Sequence, residues 1–201
     1  MTLRLVVVGA FALMASGCAQ TFFRGESLTE PVAVLAVLPI ERLPDVPTEN
    51  LAPEAERVVT AHVYGVLADT SRFRVVPDAT VADALRKLSP GIGSKAKARA
   101  LGQTVGADAV LYGSVARFVE REGSAAGSDA PASVAIRLGL LSAATGELLW
   151  ESEFNETQQA LTTNLFNYWQ FFRAGPRWFT VSEYARLGVE RMLEDLERRA
   201  K

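Results

Sequence analysis

The chain has 201 residues, with 21 Lys and Arg against 23 Asp and Glu, a formal net charge of −2. That balance excludes the basic excess by which proteins hold nucleic acid, and 49% hydrophobic with 22% charged residues excludes a disordered chain. A single cysteine excludes an internal disulfide, and with only one histidine beside it there are too few soft ligands for a zinc site.

The first eighteen residues read MTLRLVVVGAFALMASGC. Arg4 precedes an uncharged run from Leu5 to Met14, and the small residues Ala15, Ser16 and Gly17 lead into Cys18. This is the layout of a secretory leader. The apolar run is shorter than the roughly 20 residues a membrane-spanning helix needs. The small-small-Cys ending resembles the lipobox of bacterial lipoproteins. That resemblance implies cleavage before Cys18, acyl chains on its sulfur and amine, and a lipid anchor. Ala19, where an Asp would favour retention at the inner membrane, implies the periplasmic face of the outer membrane. The expected organisation is therefore a leader over 1–17, a lipidated tether over 18–31 and one α/β domain over 32–201. Phe22 and Phe23 in the tether either dip into the membrane interface or dock on the domain.

VAVLAVLPI, residues 32–40, has no polar alternation and reads as a strand covered on both faces. After a proline-rich loop, Ala55, Val58, Val59, His62, Val63, Val66 and Leu67 recur at helical spacing, so a helix starts at Pro53 and runs to about Ala68. FRVVP, residues 73–77, is a short strand. Thr80 and Asp83 then predict the start of a second helix, and KAKARALGQTV, residues 95–105, a third, ended by Gly106 in a left-handed C-cap.

ADAVLYGSVARFVERE is a long strand whose strict alternation would put Phe118 on the face of Val110, Tyr112, Ser114 and Ala116. The small, polar stretch 123–132 is a loop. SVAIRLGLLSA and LLWESEFNE are strands joined by a turn at Thr145 and Gly146, completing an antiparallel meander. A helix is expected from about Thr157 to Arg173, ended by Gly175 and Pro176. The final helix begins at Thr180, with a Thr180–Glu183 capping box and a staple of Phe179 on Tyr184. Its apolar face is Val181, Tyr184, Leu187, Gly188, Met192 and Leu196. The fold class is α/β, a single mixed sheet with a C-terminal antiparallel meander and helices packed on it.

VAVLAVLPI, VLADTSRFRVVP, LGQTVGADAVLYGSVARF and IRLGLLSAATGELLW, in that order behind a lipobox, resemble the domain shared by CsgG, LpoB, the N-terminal domain of TolB and PelC. The resemblance implies no catalysis. It implies a scaffold or accessory of a cell-envelope machine, in secretion, polysaccharide export or cell-wall synthase activation. It also implies an envelope protein partner and a possible homo-oligomeric ring. The sequence departs from CsgG in having no insertion able to supply membrane β-hairpins.

Chemistry-bearing motifs are few. His62 lies on the apolar stripe of the first helix. GIGSK, residues 91–95, lacks phosphate-loop spacing and follows a helix. No cofactor, metal or catalytic set is expected. The alternative is a periplasmic hydrolase or sugar-binding protein using the carboxylates Glu151, Glu153 and Glu156. The unusual feature is an aromatic cluster between 164 and 179. Tyr168, Trp169, Phe172 and Phe179 are accounted for by the helix stripe and the staple. Phe166, Phe171 and Trp178, beside Arg173 and Arg177, are the candidates for membrane or partner contact.

Overall fold

The computed structural model describes residues 20–24, 28, 31–88, 94–125, 127–158 and 177–200. Its centre is a seven-stranded mixed sheet. The strands are β1 (Gln20–Arg24), β2 (Val34–Val37), β3 (Glu41–Arg42), β4 (Arg74–Val75), β5 (Ala109–Val119), β8 (Ser133–Ser142) and β9 (Leu148–Thr157), in the order β1-β9-β8-β5-β2-β4, with β3 also on β5. A small hairpin, β6 (Glu122–Gly123) with β7 (Ser128–Ala130), sits at the far end of β5. The helices are α1 (Ala55–Ala68), α2 (Asp78–Lys87), α3 (Ser94–Val105) and α4 (Val181–Arg199).

The run 32–40 divides into two strands along one partner. Pro39 has no N–H to give the ladder, so β2 pairs with β5 at Ala109–Leu111 and β3 resumes at Ser114 and Val115. Between them the Ile40 N–H donates to Thr60 Oγ1 of α1 at 2.9 Å. The double-sided burial expected of this run is present. Leu35 and Val37 join the core under α1 and α4, and Ala36 and Leu38 join the core under α2 and α3.

β5, β8 and β9 form the expected meander. The alternation of β5, however, reverses at a bulge. Val115 faces Ile136 and Arg117 faces Ala135, so Ala116 is the extra residue. Phe118 is thereby turned onto the side of Leu111 and Val115 and buried under α1 and α4, the face opposite to the one strict alternation assigns. α2 starts at Asp78, two residues before Thr80, without a side-chain cap. Gly106 has φ 66°, as its C-cap role requires. Thr180 and Glu183 make the capping box, and Phe179 stacks on Tyr184 with ring centres 6.3 Å apart. On the face of α4, Leu187 is only half-buried, while Val189 and Leu193 are fully buried.

Two departures concern the ends of the sheet. Residues 20–24, within the stretch read as a tether, form the edge strand β1 on β9. Thr157 belongs to β9 and Gln158 has no regular structure, so the helix expected from there loses its first two residues. Its remaining span, 159–173 with Phe166 and Phe171, lies outside the described residues, as does Cys18.

Candidate functional site

Of the sequence candidates for contact, Trp178 is the one the described residues contain. It lies on a strap, Arg177–Thr180, that leads into α4 at the end of the sheet where β5 and β9 finish and β8 begins. The strap has no regular structure, yet its backbone groups are held by side chains and a loop from elsewhere, which is what keeps an irregular segment in place. The Gln158 amide donates to the Arg177 carbonyl at 3.1 Å and accepts the Phe179 N–H at 2.9 Å. The Trp178 N–H donates to the Ala125 carbonyl in the β6–β7 hairpin at 3.0 Å, and Arg121 donates to the Trp178 carbonyl at 2.8 Å. Glu183 accepts the Thr180 N–H at 3.0 Å. Both oxygens of Glu120 accept the Val181 N–H, at 3.1 and 3.3 Å.

Two carboxylates therefore stand at the positive end of the α4 dipole. The Thr180 backbone N–H, helped by Arg177 at 2.7 Å, holds the Glu183 carboxyl below its usual range. Gln158, only 2% exposed, stands before residue 159 and grips the residues from 177 onward. Trp178 itself is half-buried and is positioned through its main chain. Around it the hairpin residues Glu122 to Ala125 and Arg177 are exposed. Gln158, Glu120 and Arg121 were not among the sequence candidates. None sits in a motif, and their partners lie 19 to 61 positions away.

Of the carboxylates of the alternative reading, Glu151 and Glu153 both lie near Arg137, and Glu156 does not join them. Glu153 pairs with Arg137 at 2.8 Å on the part of the sheet that α2 and α3 leave uncovered. Glu156 points to the other face, 6% exposed, accepting the Tyr184 hydroxyl at 3.0 Å beside Arg191 at 3.6 Å. A sheet separates them, so they cannot flank one glycosidic bond as an acid and base pair must. His62 bridges helices: its Nε2 lies 3.0 Å from Ser182 Oγ at the start of α4. Burial and the nearby Arg186 hold the imidazole below its ordinary value.

No helix among the described residues is long and apolar enough to cross a membrane. The sequence matches the family of the peptidoglycan-synthase activator LpoB over residues 55–166, from α1 past the end of β9. No curated protein matches the chain. Among solved structures, the fold is similar to PelC from Paraburkholderia phytofirmans, a dodecamer, with TM-score 0.54 at 14% identity over 89% of this chain and 96% of that one. It is also similar to the hypothetical protein CT253 from Chlamydia trachomatis, with TM-score 0.51 at 14% identity over 84% and 97%. The C-terminal domain of LpoB from Escherichia coli aligns at 22% identity over 65% and 87%, with TM-score 0.46. At these identities the structural likeness is one of fold.

Proposed function

Because the chain belongs to the family of the peptidoglycan-synthase activator LpoB, we propose that it is a non-enzymatic accessory of the cell-wall synthesis machinery. In this reading Cys18 carries the lipid anchor, the domain works on the periplasmic face of the outer membrane, and an envelope synthase is its protein partner. The family match carries the proposal, because it spans α1 to α3 and the strands β4 to β9. The site supports it. A strap fixed through its main chain presents a half-buried tryptophan and exposed arginine beside an exposed hairpin, the composition of a contact surface. Glu156, bonded to Tyr184 on the face opposite Glu153, weighs against the hydrolase alternative. The PelC dodecamer favours self-association as a companion reading, in which copies of the domain form a ring.

The test is reconstitution. The acylated protein is added to a purified peptidoglycan synthase, and glycan polymerisation from its lipid-linked precursor is followed. Stimulation is expected. Cys18→Ser is expected to move the protein from the membrane to the soluble fraction. Absence of both binding and stimulation would overturn the synthase reading, and light scattering on the same sample reads the ring.

A further inference from the structure

β1 begins at Gln20, two residues after Cys18. Its register on β9 sets Gln20 opposite Asn155 and Arg24 opposite Glu151. The start of β1 is therefore at the finishing end of β9. Thr157 faces Ser133 there, and Ser133 faces Val119 at the end of β5. The β6–β7 hairpin and the Trp178 strap are joined at this same end. Two residues of backbone reach at most about 7 Å. A group bonded to Cys18 is thus held against one end of the sheet for as long as β1 stays paired. Releasing β1 would leave the β9 edge with an open row of N–H and C=O groups, which opposes it.

We infer that this end of the domain, bearing Ala125, Arg121 and Trp178, rests directly on the lipid headgroup surface, with the β8–β9 turn at the other end pointing away from the membrane. The inference rests on the acylation of Cys18 proposed above. A ten-residue β8 separates the two ends by about 30 Å. The seated end carries charges of both signs, Arg121 and Arg177 with Glu120, Glu122 and Asp129. The contact is accordingly set by the shortness of the link and not by attraction to anionic lipid. A tryptophan and arginines suit the headgroup level, where an apolar body and a polar tip are both satisfied.

The sequence provides the means of testing this. Cys18 is the only cysteine, so once its sulfur is acylated an introduced cysteine is the sole labelling site. Ala125→Cys and Ala144→Cys place a fluorophore at exposed positions on the two ends. The acylated proteins are reconstituted in phosphatidylethanolamine and phosphatidylcholine vesicles carrying headgroup-nitroxide lipid. Loss of fluorescence is expected at Ala125→Cys and not at Ala144→Cys, unchanged by salt. A Gly/Ser insertion of about 15 residues between Ala19 and Gln20, whose coil spans roughly 20 Å, should abolish the loss while the protein still floats with the vesicles. Equal signals at the two ends of a protein that floats would overturn the orientation and leave the anchor standing. A protein that does not float, with no acyl mass on Cys18, would take the anchor and the orientation down together.

Discussion

Trp150 of β9 donates its indole N–H to the Asp195 carboxylate of α4 at 3.0 Å, with both residues almost wholly out of water. Arg199 reaches the same carboxylate at 2.7 Å and Arg198 at 3.3 Å. Burial alone would raise the Asp195 carboxyl, but the indole and the two guanidiniums hold it below 3.8. A lowered folded value means that the unfolded chain binds the proton first. The stability from this group is therefore full above about pH 4 and is lost as pH falls through the folded value. Asp195→Ala should cost about 1–3 kcal/mol in urea unfolding at neutral pH, since the buried indole N–H loses its acceptor. It should also lose less stability on acidification than the parent chain. An unchanged acid limb would show that the carboxylate is not linked to folding.

Gln158 predicts a local effect. Gln158→Ala removes the acceptor of the buried Phe179 N–H and the donor to the Arg177 carbonyl. The cost should be about 1–3 kcal/mol, and hydrogen exchange at the Phe179 amide should accelerate more than exchange in β8. Equal acceleration everywhere would mean global destabilisation in place of a loosened strap.

Gly188 gives α4 its close approach to the sheet. A Cβ at that position would overlap the Phe154 ring, and Phe154 is fully buried with its ring edge-on to Tyr184 at 5.4 Å. Gly188→Ala should destabilise by about 1–3 kcal/mol through overpacking. Phe154→Leu should relieve part of that penalty in the double variant, giving a coupling a double-mutant cycle detects. Additive losses would place the strain elsewhere.

His62 makes stability depend on pH near neutrality. Burial and Arg186 lower its folded value from 6.5, opposed by Ser182 and Glu190. The unfolded histidine takes up its proton first, so stability is full above 6.5 and falls as pH drops below it. His62→Gln should flatten the thermal midpoint across that window. A midpoint that falls equally in both proteins would assign the dependence to another group.

Much of the fold was legible from local pattern. The α4 capping box, the left-handed Gly106, the turn at Gly146 and the two-sided β2 all stand where the sequence places them. The aromatic surplus pointed to Trp178, which is half-buried, but the clamp holding it was not legible. Gln158, Glu120 and Arg121 are ordinary polar residues until the fold brings the strap to them.

The sequence by itself determined that α1 to α4 and most strands exist, because those depend on neighbours three or four positions apart in helices and two apart in strands. Tertiary structure alone decided the bulge that turns Phe118 inward, the pairing of Gln20 with Asn155 and the reach of Trp150 to Asp195. Such contacts join residues far apart in the chain. Their free energy arises only when water is excluded between elements that have already been brought together, and no local pattern records it.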